Sequence, residues 1–126
     1  MENIGAFLGK WMIGNTIPGG VLLHLSAVVT VAPYNKMSGQ IKFTQATHPP
    51  LDITVEVVGG YVDTVIGQTK VHIARIHTAP PQLLGTPSVD LLVLFDENWQ
   101  KGTAWFTAMI GSSHFAENDA PVVVEN

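Results

Sequence analysis

Apolar and polar residues alternate with period two along most of this chain. In the clearest run, Val21, Leu23, Leu25, Ala27, Val29 and Val31 fall on one face, and Leu22, His24, Ser26, Val28 and Thr30 on the other. Alternation over so long a stretch predicts a half-buried strand. Residues 4–13 alternate more loosely, with Ile4, Ala6 and Leu8 on one face and Phe7 and Trp11 on the other. Residues 38–46 turn Ile41 and Phe43 inward and Gln40, Lys42 and Thr44 outward. Residues 51–57 set Leu51, Ile53, Val55 and Val57 inward against Asp52, Thr54 and Glu56.

Gly59-Gly60 reads as a break or bulge, after which 61–66 continues as a strand. Strand-like runs follow at 71–78, 89–95 and 102–110. The polar stretch 111–119 reads as a tail, and Pro121-Val122-Val123-Val124 as a last edge strand. Turns fall at 14–20, 32–36, 67–70 and 96–101, where Gly, Pro, Asn and Asp gather. Segment 79–88 is the longest irregular piece, apolar enough to lie across the protein. No window carries helical periodicity with caps at both ends. About eight short strands at regular spacing predict an all-β fold, an antiparallel β-barrel or β-sandwich. The barrel is favoured, because few strands carry the charges that blunt an open edge.

Composition narrows the picture. A chain of 126 residues suits a single domain, 1–126, able to bury its own core. Charged residues make up only 13%, against about 25% in ordinary soluble domains. The net charge is −4 with no cluster of Lys or Arg, which argues against nucleic acid as a partner. The absence of cysteine excludes disulfides, thiolate metal sites and a cysteine nucleophile. No apolar run approaches the ~18 residues of a membrane-spanning helix, and the N-terminus lacks the basic start and apolar run of a signal peptide. A cytoplasmic location is expected, with secretion by a non-classical route left open.

Two stretches carry a resemblance. One is Gly14-Asn15-Thr16-Ile17-Pro18-Gly19-Gly20 with the strand beyond it and Ile41-Lys42-Phe43-Thr44-Gln45-Ala46-Thr47-His48-Pro49-Pro50-Leu51-Asp52. The other is Glu97-Asn98-Trp99-Gln100-Lys101-Gly102-Thr103-Ala104. Both are similar to segments of a family of short bacterial proteins, the domain of unknown function 1842, while residues 60–88 depart from that pattern. The resemblance implies an all-β fold and supplies no catalytic residue.

The corner 44–52 concentrates polar groups beside two prolines. Thr44, Gln45, Thr47, His48 and Asp52, with His24 nearby, are candidate ligand-binding residues at a barrel mouth. The competing reading is that they lock the corner, with Asp52 serving a buried backbone donor. Trp99 is a candidate sugar platform or partner anchor, or else a cap folded over the barrel end. Five histidines are scattered. His72 and His77 face opposite sides of a strand, and only His24 and His48 with Asp52 offer a metal set, so neither metal nor other cofactor is expected. Ser26 shares a face with His24, but no nucleophile elbow surrounds it. Lys42 is placed to pair across strands with Asp52 or Glu56.

Residues 89–95 and 103–110 are apolar on both faces. That predicts a covered outer face holding Leu92, Leu94, Trp105 and Met109, and hence a homo-oligomer. The leading function is a noncatalytic, self-associating module that binds a ligand. The alternatives are a small barrel enzyme of the cyclase or isomerase type, acting on a hydrophobic substrate, and a glycan-binding lectin.

Overall fold

The computed structural model describes residues 5–15, 20–46, 50–80 and 85–125. They form β1 (Ala6–Ile13), β2 (Val21–Thr30), β3 (Lys36–Gln45), β4 (Leu51–Ile66), β5 (Thr69–Thr78), β6 (Ser88–Asp96), β7 (Lys101–Ile110) and β8 (Ser113–Val124). Each strand pairs antiparallel with the next, and β8 returns to β1, so the sheet closes into a barrel. That closure rests on pairing Trp11, Met12 and Ile13 with Val124, Val123 and Val122. The barrel, not the sandwich, is the architecture.

Alternation becomes inside and outside. Trp11, Leu23, Leu25, Ile41, Phe43, Ile76, Leu91, Val93 and Phe95 are fully or almost fully buried in one core. An eight-stranded barrel is just wide enough for such side chains to fill it. Among the described residues the one buried polar side chain is Thr78. Its hydroxyl accepts from the Val89 N–H at 2.7 Å. Val31, read as inward, stands exposed in the turn after β2.

Two expectations are corrected. Gly59-Gly60 neither breaks nor bulges β4: Gly59 stays in register with Met37 and Ile76, and Gly60 with Lys36 and Arg75. Gly59 is there for close approach, since a Cβ would lie 2.1 Å from the Arg75 carbonyl oxygen. The polar stretch 111–119 is no tail, because most of it belongs to β8. Its alternation is interrupted by a bulge, where the register on β7 jumps from Ala104↔Ala120 to Phe106↔Glu117. Asn118 and Asp119 thus oppose Trp105 alone, and Asp119 takes φ +56. The bulge lets Phe115 on one side and Val122 on the other both face the core.

Candidate functional site

The strands bring three of the corner residues, His24, Thr44 and Asp52, together on the outer face. The register that turns Ile41 and Phe43 inward turns Thr44 outward, opposite Asp52. His24 lies on the same outer face, across from Lys42. Its Nδ1 donates to the Glu125 carboxylate at 3.0 Å and its Nε2 meets the Thr44 hydroxyl at 3.1 Å. With both ring nitrogens engaged, none is left to activate Ser26. Asp52 pairs with Lys42 at 3.7 Å, and its side chain is 65% exposed. Among the described residues Asp52 reaches no buried donor, and an exposed pair of this kind contributes about 0–1 kcal/mol. Gln45, at the end of β3, is half-buried. Thr47 and His48 lie outside the described residues. Among the described residues no three His, Asp or Glu side chains gather as a metal would need.

Trp99 is held over one end of the barrel. It sits in the β6–β7 turn at φ +60, a conformation uncommon for a non-glycine residue. Asp96 fixes that turn by accepting the Gln100 N–H at 2.8 Å. The indole packs on Phe7, Trp11, Tyr61 and Phe95, and His72 stacks on it at 4.1 Å, 12° from parallel. Trp11 Nε1 donates to the Trp99 carbonyl at 2.7 Å. His72 faces inward and bridges Asp63, at 2.5 Å from Nδ1, to the Glu97 carbonyl, 2.9 Å from Nε2. Trp99, the candidate sugar platform, is thus occupied by rings, and Asp96 beside it by its own turn. A groove of about 480 Å³ runs beside this cap between Phe7, Leu8, Trp99, Gln100 and Val124, within the size range of small-ligand sites.

Beneath the cap, the Tyr61 hydroxyl donates to the Thr30 carbonyl at 2.8 Å. Burial, and secondarily the Asp63 carboxylate, hold this phenol above its usual pKa of 10.0. The unfolded chain then releases its proton first as pH rises, so the stabilisation is complete below about pH 10 and lost above it. Melting temperature is expected to fall through that range, and less steeply in Tyr61→Phe.

The outer face of β4–β7 carries an apolar strip among polar positions. Val62, Ile73 and Leu94 form one row across β4, β5 and β6, and Leu92 and Trp105 extend the next row onto β7. Leu92 is 41% exposed, and Leu94 and Trp105 are half-buried. Met109, 44% exposed, shares the face but is set apart by the polar row His77, Asp90 and Thr107. The sequence pattern located Leu92, Leu94 and Trp105; it missed Val62 and Ile73, whose alternation with the outer face depends on β4 running straight through Gly59-Gly60. Arg75 borders the strip and donates to Asp90 at 3.2 Å.

A search of curated proteins finds no match. The family model for the domain of unknown function DUF1842 matches residues 4–114, running through the stretch 60–88 that the resemblance left out. It covers the cap and the strip alike, and by that match the chain belongs to the DUF1842 family.

Proposed function

We propose that this barrel is a noncatalytic assembly module that associates with copies of itself through the outer strip of Val62, Ile73, Leu94, Leu92 and Trp105. The observation that carries this reading is the strip's place: four adjacent strands, β4 to β7, present apolar side chains outward as well as inward. A face of this kind on a chain with 13% charged residues is poorly suited to water. Trp105 is the natural anchor, since buried aromatic residues dominate interface energetics. The filled, aliphatic interior supports the noncatalytic side of the reading, because a cyclase or isomerase needs polar groups along a chamber wall.

Light scattering across a micromolar concentration series tests it. Wild type is expected to run above its 13.5 kDa monomer mass, and Leu92→Asp to shift toward that mass with an unchanged circular dichroism spectrum. A wild type that stays monomeric at high micromolar concentration overturns the reading.

A further inference from the structure

The hairpin of β4 and β5 rises beyond the barrel end. β3 pairs with β4 only as far as Lys36↔Gly60, and the Tyr61 N–H then donates to the Asn35 carbonyl at 3.1 Å. β4 runs on from Val62 to Ile66 with β5 beside it on one edge and, among the described residues, no strand on the other. Residues 62–70 are all exposed, Val62, Val65 and Ile66 each by more than half. An unpaired edge of this length invites a further strand unless lysine, proline or a bulge guards it. Between Tyr61 and Ile66 there is no lysine, proline or bulge, and the single charge, Asp63, is paired with His72.

We infer that this edge pairs with the same edge of a second copy, antiparallel about a twofold axis at Thr64. This rests on the self-association proposed above but uses the backbone edge of β4 and not the outer face, with Val62 alone belonging to both. The hydrogen-bond parity sets the geometry. Because the Tyr61 N–H points toward β3, the N–H and C=O groups of Asp63 and Val65 point out along the same open edge. Among the described residues no strand pairs with 62–66 on this edge, and Thr64 is their centre. Centred there, Asp63 of each copy opposes Val65 of the other, and all four of the resulting backbone bonds are made. Thr64 opposes Thr64, and Val62 opposes Ile66, which are favourable cross-strand pairs. Centring on Asp63 instead would set two carboxylates face to face, at a cost. The Asp63 carboxylate is already turned to His72. The ladder also ends where it must: Gly67 of one copy arrives opposite Tyr61 of the other, where Asn35 already fills the edge.

Cysteine cross-linking tests this directly, because the chain has no cysteine of its own. Opposed residues of a non-hydrogen-bonded antiparallel pair lie about 4.5 Å apart at Cα, within disulfide reach. Thr64→Cys is expected to form a disulfide-linked dimer under mild oxidation at low micromolar concentration. Thr54→Cys, exposed on the outer face of the same strand within the barrel, is expected to remain single. Val65→Pro removes an outward N–H and leaves the β4–β5 ladder intact; in the Thr64→Cys background it is expected to slow cross-linking about tenfold, the effect of two lost hydrogen bonds per dimer. Thr64→Cys cross-linking no faster than Thr54→Cys overturns the inference. If that occurs while Leu92→Asp still dissociates the wild-type assembly, the outer strip stands and the arm falls. If Thr64→Cys cross-links equally well with and without Leu92→Asp, and Leu92→Asp leaves the assembly mass unchanged, the arm stands and the strip falls.

Discussion

Gly59→Ala is expected to destabilise the barrel by more than about 3 kcal/mol, at or beyond the upper end of ordinary overpacking, while Gly60→Ala next door stays within about 1 kcal/mol of wild type. A Cβ on Gly59 would lie 2.1 Å from the Arg75 carbonyl oxygen and 2.9 Å from the Ile76 Cα. Both are backbone atoms of a paired strand, so neither can swing aside as a side chain would. A Cβ on Gly60 meets only the Asn35 carbonyl oxygen, at 3.0 Å, in a turn with room to shift by a few tenths of an ångström. Urea denaturation of the two variants provides the comparison. Equal midpoints would mean that β4 and β5 do not approach as described.

Trp11→Ala is expected to cost about 3–5 kcal/mol, the usual range for emptying a large aromatic site. Trp11 is fully buried and in contact with Phe95 at 4.9 Å between ring centroids. Its indole lies over Gly9, where a Cβ would come within 2.1 Å of the ring. Its N–H also holds the Trp99 carbonyl, so its loss frees the cap as well as opening the core. Trp99→Ala should cost less, because Trp99 is only partly buried. The double variant should cost less than the sum, since the two residues share contacts. Thermal melts with near-ultraviolet circular dichroism measure both effects. Additive costs would mean that the cap and the core are independent.

The alternation made much of this fold legible, and its interruptions hid the rest. Residues 21–30, 41–43 and 51–57 read correctly because one unbroken period of two runs through each. The first part of β8, before Pro121, was missed because the bulge at Asn118 and Asp119 shifts the inward face from odd to even positions, which looks like an absence of pattern. Gly59-Gly60 suggested a break because glycine usually marks one, whereas here the missing side chain admits a neighbouring strand. The corner was legible in part. The alternation that turns Ile41 and Phe43 inward puts Thr44 and Asp52 outward, as read, whereas the bond from His24 to Glu125, 101 residues away, has no sign in the pattern. Trp99 was open to either reading, because its direction depends on a positive φ that no side-chain pattern announces. Val62 and Ile73 could have been found by carrying the alternation of 51–57 through the glycines and pairing it onto β5.

The most direct test of the assembly claim is nuclear magnetic resonance on a sample mixed from methyl-labelled and unlabelled protein, in which cross-relaxation between copies is selected. Intermolecular contacts are expected at the methyl groups of Leu92, Leu94 and Ile73, with the Trp105 ring among their partners. Contacts confined to other surfaces, or none at concentrations where the sample is fully folded, would contradict it.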